Sequence, residues 1–290
     1  MASPAAQTNI GPMLAVAVEQ HLPQGQKLIQ DDLACQFLSA PLRLFVKLTR
    51  WSPLMAALPN LADKRGPGVW GGVLCRKRYI DDRLLEAVRA DIGALVILGA
   101  GLDTRAYRLA ALAAMPVFEV DLPENIAYKK ARLQQLFGSV PAHVKLASVD
   151  LEEQDLGNAL APLGYQSGQK SFFICEAVTQ YLTEAGNRKV FGFLAQAASG
   201  SRLVFTYIRK DFIDGSQLYG SEALYQVYRG KRQIWRFGLA PEQVSAFLRD
   251  YSWKELEQVG AFEYTSRYLR PIGRALPVTE IERAVYAEKS

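Results

Sequence analysis

The sequence predicts an α/β fold in which a largely parallel sheet is covered by helices on both faces. Five short apolar runs alternate with helical segments, and this alternation is typical of parallel sheets with crossover helices. The runs are nearly continuous in apolar residues, as expected for strands buried on both faces. They begin at residues 94, 116, 143, 171 and 202 and read ALVILGAG, PVFEVD, HVKLASVD, SFFICEAV and RLVFTYI.

The segments around these strands complete the predicted architecture. Residues 10–90 carry apolar side chains at three- and four-residue spacing, which indicates helices. Helices are also predicted between strands, over residues 123–137 and 184–198. After a further helix at PEQVSAFLRDY, the runs WKELEQV and IERAVYAE are separated by an irregular stretch without a clear helix, which predicts an antiparallel pair at the sheet edge. We expect a helical cap over residues 1–90 and a sheet domain over residues 91–290.

The composition narrows the class of protein. With 290 residues and 49% hydrophobic content, the chain can bury a full core. No segment approaches the roughly 20 apolar residues of a membrane-spanning helix. The three scattered cysteines form no CxxC pair and suggest neither a disulfide nor a zinc site, so we expect no metal and a cytoplasmic location. The net charge of +5 is spread along the chain, so no nucleic acid is expected as a partner. Because no segment could span a membrane, no membrane is expected as a partner either.

The stretch LVILGAGLDTRAYRL places two glycines directly after the first strand. Gly99 and Gly101 allow a sharp turn and a close approach to a ligand, because neither carries a Cβ. Open α/β sheets bind ligands in the crevice at this end of a strand. Thr104 stands where a dinucleotide-binding fingerprint would have its third glycine, so the sequence argues against a site for a pyrophosphate group. Asp103 instead suits a ligand that carries an amine.

Acidic residues end the next three predicted strands. Asp121 follows Gly101 by 20 residues, where a carboxylate can accept hydrogen bonds from ribose hydroxyls. Taken alone, Asp121 before Pro123 also fits a helix cap. Asp150 and Glu176 end the third and fourth strands, and the carboxyl ends of parallel strands meet at one edge of a sheet. The three acids together predict a nucleoside-type site.

Several motifs occur in one order along the chain: KLIQDDLACQFL, RKRYIDD, GAGLDTRAYRL, FEVDLP, VDLEEQDL and CEAVTQYLT. With these motifs the sequence resembles the leucine carboxyl methyltransferase family of S-adenosylmethionine-dependent enzymes, over residues 27–185. The resemblance implies a class I methyltransferase fold, with a Rossmann-like seven-stranded sheet whose last strand is antiparallel. It also implies that the N-terminal helical cap covers a pocket for S-adenosyl-L-methionine.

The resemblance also implies roles for single residues. Arg76 would pair with the methionyl carboxylate of the cofactor, for which a guanidinium fork is suited, although Arg78 is an alternative. The other implied contacts are Gly99 and Gly101 at the aminoacyl part, Asp103 beside them, Asp121 at the ribose, Asp150 and Leu151 at the adenine, Glu176 at the methionyl amine and Tyr181 near the transferred methyl.

The acceptor side departs from the family pattern. Thr179 and Gln180 stand where the family often has a hydrophobic pair. Residues 209–239 form an insert that interleaves aromatic and basic side chains and predicts a lid over an acidic acceptor. Packing of the aromatic side chains on the sheet and a nucleic-acid groove remain alternatives. The residues concerned are Tyr219, Tyr225, Tyr228, Arg229, Lys231, Arg232, Trp235 and Arg236.

No histidine is placed to act as a base, since the sequence has only His21 and His143. A carboxylate acceptor is ionised at pH 7 and needs no base, whereas a hydroxyl usually needs one. We therefore expect methyl transfer to a carboxylate of a small molecule. The alternatives are O-methylation of a hydroxyl, a nicotinamide-dependent oxidoreductase, and a binding protein that keeps the cofactor pocket without catalysis.

Overall fold

A seven-stranded sheet forms the centre of the protein, in a computed structural model that describes residues 6–64 and 66–290. The strands are β1 Ala94–Leu98, β2 Val117–Asp121, β3 Val144–Ser148, β4 Ser171–Cys175, β5 Arg202–Ile208, β6 Trp253–Val259 and β7 Glu282–Lys289. Their order is β3-β2-β1-β4-β5-β7-β6. The first five strands are parallel, and β7 runs antiparallel to both β5 and β6. The predicted sheet with its last strand antiparallel is confirmed.

Helices cover both faces of this sheet. Before β1 lie α1 Ile10–Glu19, α2 Ala34–Phe37, α3 Ala40–Leu48, α4 Ser52–Asp63 and α5 Val69–Arg89. Between and after the strands lie α6 Arg105–Arg108, α7 Pro123–Phe137, α8 Leu156–Leu160, α9 Glu184–Leu194, α10 Lys210–Ile213, α11 Glu222–Tyr225, α12 Val244–Arg249 and α13 Ala261–Tyr264. Within the described ranges, no helix is both long and apolar enough to cross a membrane.

Burial explains why the strands read as continuous apolar runs. Every residue of β1, β2 and β4 is buried. Because successive side chains of a strand point to opposite faces, Leu95 and Ile97 of β1 join the apolar cluster under the cap helices. Val96 and Leu98 join the cluster on the other face. Both faces of the sheet are therefore covered, and the ligand-accessible part of the sheet is its edge.

The connection between β6 and β7 differs from the irregular stretch that the sequence predicts. It contains α13, a π-helical turn over Thr265–Leu269 and a 3-10 turn over Arg270–Ile272. The Gly260 N–H donates to Glu263 Oε2 at 2.7 Å, which satisfies one donor at the start of α13. Tyr264 and Leu269 are buried in the core under the cap. Burial of these two side chains thus holds the segment in helical turns, although its sequence shows only a weak helical pattern.

A buried ion pair joins β2 to α7. Lys129 Nζ lies 2.9 Å from Glu119 Oε2, and the two side chains are 1% and 0% exposed. Tyr107 donates its hydroxyl to the same oxygen at 2.6 Å, and Lys129 also donates to the Ala100 carbonyl at 3.2 Å. Burial raises the pKa of Glu119, although Lys129 and Tyr107 favour its charged form. The pair therefore fixes α7 beside the glycine-rich turn.

We predict that Lys129→Met lowers the free energy of unfolding by about 3–5 kcal/mol, because it leaves a carboxylate buried without its cation. Urea denaturation measures the change. The matched control is Lys130→Met, since Lys130 is exposed on the same helix and should change stability by less than about 0.5 kcal/mol. Equal losses in the two variants would contradict the importance of the buried pair.

Candidate active site

A cavity of about 780 Å³ opens at the carboxyl ends of the parallel strands. This volume lies in the upper part of the usual range of small-molecule pockets, about 300–1,000 Å³. Every residue that the sequence analysis assigned to the site lines this cavity, namely Arg76, Gly99, Gly101, Asp103, Asp121, Asp150, Leu151, Glu176 and Tyr181. Sequence positions up to 105 residues apart, from Arg76 to Tyr181, thus meet at one edge of the sheet.

The glycine-rich turn after β1 forms the floor of the cavity. Gly99 has φ +66°, and a Cβ there would lie 2.2 Å from a methyl of Val178. Gly101 has φ +41°, and a Cβ would come within 3.2 Å of Asn9 in the cap. A larger residue at either position would be strained and crowded. Thr104, in place of a third glycine, donates its hydroxyl to Asp31 at 2.5 Å and so ties the turn to the cap.

Asp121 connects the second strand to this turn. Its Oδ2 accepts a hydrogen bond from the Gly101 N–H at 2.5 Å. Its Oδ1 accepts from the Leu122 N–H at 2.7 Å and from the side-chain amide of Asn125 at 2.8 Å. A carboxylate has about four acceptor sites, so Asp121 keeps one for a ligand in the cavity.

Glu176 lies at the centre of a buried charge cluster. Its carboxylate is 2.9 Å from Arg76 Nε, 3.2 Å from Lys77 Nζ and 2.9 Å from Arg105 Nη1. Burial raises the pKa of Glu176, but the three cations outweigh this effect and hold the pKa well below its usual range. Glu176 is therefore charged at neutral pH.

Arg76, and not Arg78, points toward the cavity. Its Nη1 lies 2.5 Å from Glu282 Oε2 on the last strand, and the side chain is 6% exposed. Arg78 is outside the cavity, with a 46% exposed side chain that pairs with Asp82 at 2.9 Å. Of the two arginines that the sequence left open, Arg76 lines the cavity and Arg78 does not, and the contact of Arg76 with a cofactor carboxylate stays a prediction.

The remaining predicted cofactor residues also have defined partners. Asp103 accepts hydrogen bonds from the backbone N–H and the guanidinium of Arg105. Burial raises the pKa of Asp103, but Arg105, Lys77 and Lys129 together outweigh this effect and lower the pKa. Asp150 accepts from the Glu152 N–H at 2.9 Å. Leu151 is 7% exposed and supplies apolar surface beside it. The charge of Asp103 is therefore already paired with that of Arg105, whereas the Asp150 carboxylate accepts from a backbone N–H.

Aromatic side chains close the opposite end of the cavity. Tyr181 is the last residue of a 3-10 turn over Thr179–Tyr181. It lines the cavity together with Tyr228 and Trp235, whose rings stack at 4.5 Å between centroids. Thr179 donates its hydroxyl to the Thr206 carbonyl at 2.7 Å, which fixes the turn. Gln180 lines the cavity, is 2% exposed, and its Oε1 has no hydrogen-bond partner among the described residues.

The predicted insert over residues 209–239 contributes only part of its side chains to the cavity. Tyr219 instead donates its hydroxyl to Asp211 at 2.6 Å, and Tyr225 packs edge-on against Phe212. Arg229 donates to two backbone carbonyls of the insert. Among the basic residues Arg229, Lys231, Arg232 and Arg236, the described cavity lining includes Arg236 and not the other three. Some residues of the insert therefore line the cavity, as the lid alternative predicts, and others are engaged in contacts within the insert, which is closer to the packing alternative.

Several cavity residues were missed by the sequence analysis. Lys77, Asn125 and Glu282 all line the cavity. Lys77 directly follows Arg76, and Asn125 lies four residues after Asp121. Closeness in sequence to the predicted residues is therefore a signal that could have found both. Glu282 begins the antiparallel strand β7, and the start of an antiparallel strand lies at the carboxyl edge of its parallel neighbours. That placement follows from the predicted topology.

A sequence profile of the leucine carboxyl methyltransferase family matches residues 9–195. The chain belongs to this family. A relative from Mycobacterium avium, described as a "putative S-adenosyl-L-methionine-dependent methyltransferase", is 32% identical over 195 residues, covering 67% of this chain and 64% of the relative. One from Mycobacterium tuberculosis with the same description is 37% identical over 183 residues, covering 62% of this chain and 60% of the relative. The alignments thus span less than two thirds of these two relatives.

Solved structures agree with the family's predicted fold. A protein from Thermobifida fusca, described as a "putative methyltransferase", superposes with a TM-score of 0.57 at 18% identity, covering 82% of this chain and 88% of that chain. A duf574 family protein from Streptomyces avermitilis superposes with a TM-score of 0.56 at 12% identity, covering 82% and 91%. The resemblance to the leucine carboxyl methyltransferase family and its class I methyltransferase fold are confirmed.

The residues of the cavity fit S-adenosyl-L-methionine, the cofactor that the family implies. The glycine turn leaves a cradle that a Cβ at Gly99 would disturb. Cations and carboxylates meet around Glu176, which suits a zwitterionic aminoacyl group. Asp121 retains an acceptor site for a ribose hydroxyl. The roles of individual residues in holding the cofactor stay predictions, and two variants test them.

We predict that Asp121→Ala weakens binding of S-adenosylhomocysteine by about 1–3 kcal/mol, because ribose hydroxyls would lose a buried partner. Calorimetric titration measures the affinity, after circular dichroism shows a folded protein. Asp155→Ala is the control, since Asp155 caps α8 outside the cavity and should lower stability without changing affinity. Unchanged affinity in folded Asp121→Ala would place the ribose elsewhere.

We predict that Arg76→Lys impairs cofactor binding although the charge is kept, because a lysine cannot replace the planar fork that contacts Glu176 and Glu282. Arg78→Lys should leave binding unchanged. Titration of both variants with S-adenosylhomocysteine compares them directly. A silent Arg76→Lys beside a damaging Arg78→Lys would mean that the carboxylate contact is assigned to the wrong arginine.

Proposed function

We propose that this protein is an S-adenosyl-L-methionine-dependent O-methyltransferase that methylates a carboxylate of a small molecule. When bound, the cofactor supplies an electrophilic methyl group on a sulfonium. The residues of this chain then have to bind the acceptor, remove its water and align one oxygen about 3 Å from the methyl. No covalent enzyme intermediate is required.

The observation that supports this proposal is that neither histidine lines the described cavity, while Glu176, a carboxylate of the cavity, is held in its charged form by three cations. His21 contacts the Val46 carbonyl and His143 the Ala106 carbonyl, and neither lines the cavity. Glu176 has its pKa held well below the usual range by Lys77, Arg105 and Arg76, despite its burial. A carboxylate so stabilised is a poor proton acceptor for a hydroxyl. An acceptor that is already ionised avoids this difficulty.

Arg236 and the aromatic end of the cavity support an acidic acceptor. The Arg236 side chain has no ion pair with any described residue, and its backbone N–H donates to the Gln180 carbonyl at 2.6 Å. This bond joins the insert to the turn that carries Tyr181. An acceptor carboxylate held near Arg236 would lie against Tyr228 and Trp235, while Gln180 offers an unpaired amide oxygen for a second polar group.

Tyr181 serves as a positioning and donor group in this proposal. Burial raises the pKa of its phenol, although the neighbouring side chains of Thr8 and Trp235 partly offset the effect. The phenol is therefore protonated at neutral pH and can donate a hydrogen bond but not remove a proton. Such a donor can orient one acceptor oxygen so that the other oxygen faces the methyl group.

Product chemistry tests the proposal. We predict that incubation with a methyl-labelled donor and a metabolite extract gives a labelled small molecule that mild alkali cleaves, because a methyl ester hydrolyses where a methyl ether does not. Arg236→Ala should lower the yield about tenfold or more by removing the free cation, and Arg232→Ala is the matched control outside the cavity.

Alkali-stable product would contradict the carboxylate acceptor and favour a hydroxyl acceptor. Absence of any labelled product, with cofactor binding intact, would favour a binding protein without catalysis. These outcomes separate the three functional alternatives that share the same pocket.

A further inference from the structure

An apolar and basic surface lies on the cap, outside the cavity. Three large apolar side chains are largely exposed there: Leu44 by 60%, Leu48 by 59% and Trp51 by 81%. Exposed large apolar groups at adjacent positions are unusual on a soluble surface and mark interaction sites. We define the α3 surface by these three residues together with Arg43, Lys47 and Arg50.

Helical geometry separates this surface from the side of α3 that holds the helix in place. Val46 is 2% exposed in the core, and Thr49 is buried and donates its hydroxyl to the Val46 carbonyl. Leu44 and Leu48 are four residues apart, so they lie on one side of the helix, opposite to Val46. The exposed leucines are therefore not needed to dock α3 onto the protein.

Positive charge accompanies the exposed apolar residues. Arg43, Lys47 and Arg50 follow one flank of the leucines at helical spacing, and no ion pair joins them to a carboxylate among the described residues. The sequence between residues 33 and 62 contains no acidic residue. The α3 surface is therefore a basic amphipathic face without internal charge compensation.

We propose that the α3 surface binds an anionic lipid surface. Trp51 and the two leucines would enter the boundary between head groups and acyl chains, where tryptophan is favoured. The three cations would contact anionic head groups, each adding to the affinity. This binding is peripheral and goes beyond the proposed function. It also departs from the sequence-based expectation that no membrane acts as a partner, which rested on the absence of a spanning segment.

The position of the surface relative to the cavity is consistent with a lipid-facing cap. Trp51 immediately precedes α4, and Ala62 near the other end of α4 lines the cavity, as does Gly66 beyond it. The α3 surface and the cavity wall are thus joined by one helix. If the protein binds a membrane through the α3 surface, α4 lies close to the plane of that membrane.

Vesicle co-sedimentation tests the proposal with the full chain. We expect binding to phosphatidylcholine vesicles that contain phosphatidylglycerol, weakened by added salt, and little binding to phosphatidylcholine alone. Leu48→Ser/Trp51→Ser and Lys47→Glu/Arg50→Glu should each lower the partition coefficient about tenfold or more. Circular dichroism and S-adenosylhomocysteine titration should show both variants folded and competent for the cofactor.

Matched controls use exposed residues elsewhere. Phe262→Ser removes an aromatic side chain that is 68% exposed, and Lys130→Glu/Lys254→Glu makes the same change of net charge at exposed sites. Both should retain binding within about twofold. The proposal is overturned if folded wild-type protein does not bind the anionic vesicles, or if the controls lose as much binding as the test variants. It is also overturned if Leu48→Ser/Trp51→Ser converts a dimer into monomers, since a second copy would then cover the surface.

Discussion

The contact of Glu176 with three cations is the interaction on which the site depends. It joins the end of β4 to α5 through Arg76 and Lys77, and to the turn after β1 through Arg105. Removing these charges from water is costly, and only close pairing offsets the cost. Because Arg76 also pairs with Glu282, and Arg105 also pairs with Asp81, the cluster specifies how the cap sits on the sheet edge.

The same groups that shape the pocket are those that would hold the ligand. Asp121 fixes the Gly101 turn, and Thr104 ties that turn to Asp31 in the cap. Arg76 reaches both Glu176 and Glu282, so it joins the cap to two strands. A bound cofactor would add partners to groups that are already oriented, which limits the ordering cost of binding. Folding and ligand recognition are therefore coupled in this site.

The strands and the site edge could be predicted because their causes are local. Helix α7 spans Pro123–Phe137 as predicted, since Pro123 suits the first turn and Gly138, at φ +76°, ends the helix. The acids at strand ends reach the cavity because parallel strands share one carboxyl edge. By contrast, the ion pairs that Glu282 and Lys77 form with Arg76 and Glu176 depend on how distant elements pack. The side chains of Tyr219 and Arg229 are directed by contacts inside the insert. The spacing of apolar residues along the sequence does not reveal such contacts.

The shape and charge of the cavity suit an aminoacyl nucleoside and not a dinucleotide. Calorimetric titration of the unmodified protein with S-adenosylhomocysteine and with NAD distinguishes the two kinds of ligand. We expect one molecule of S-adenosylhomocysteine to bind per chain and NAD to give no measurable heat at the same concentrations. Tighter binding of NAD than of S-adenosylhomocysteine would mean that the cavity is a dinucleotide site.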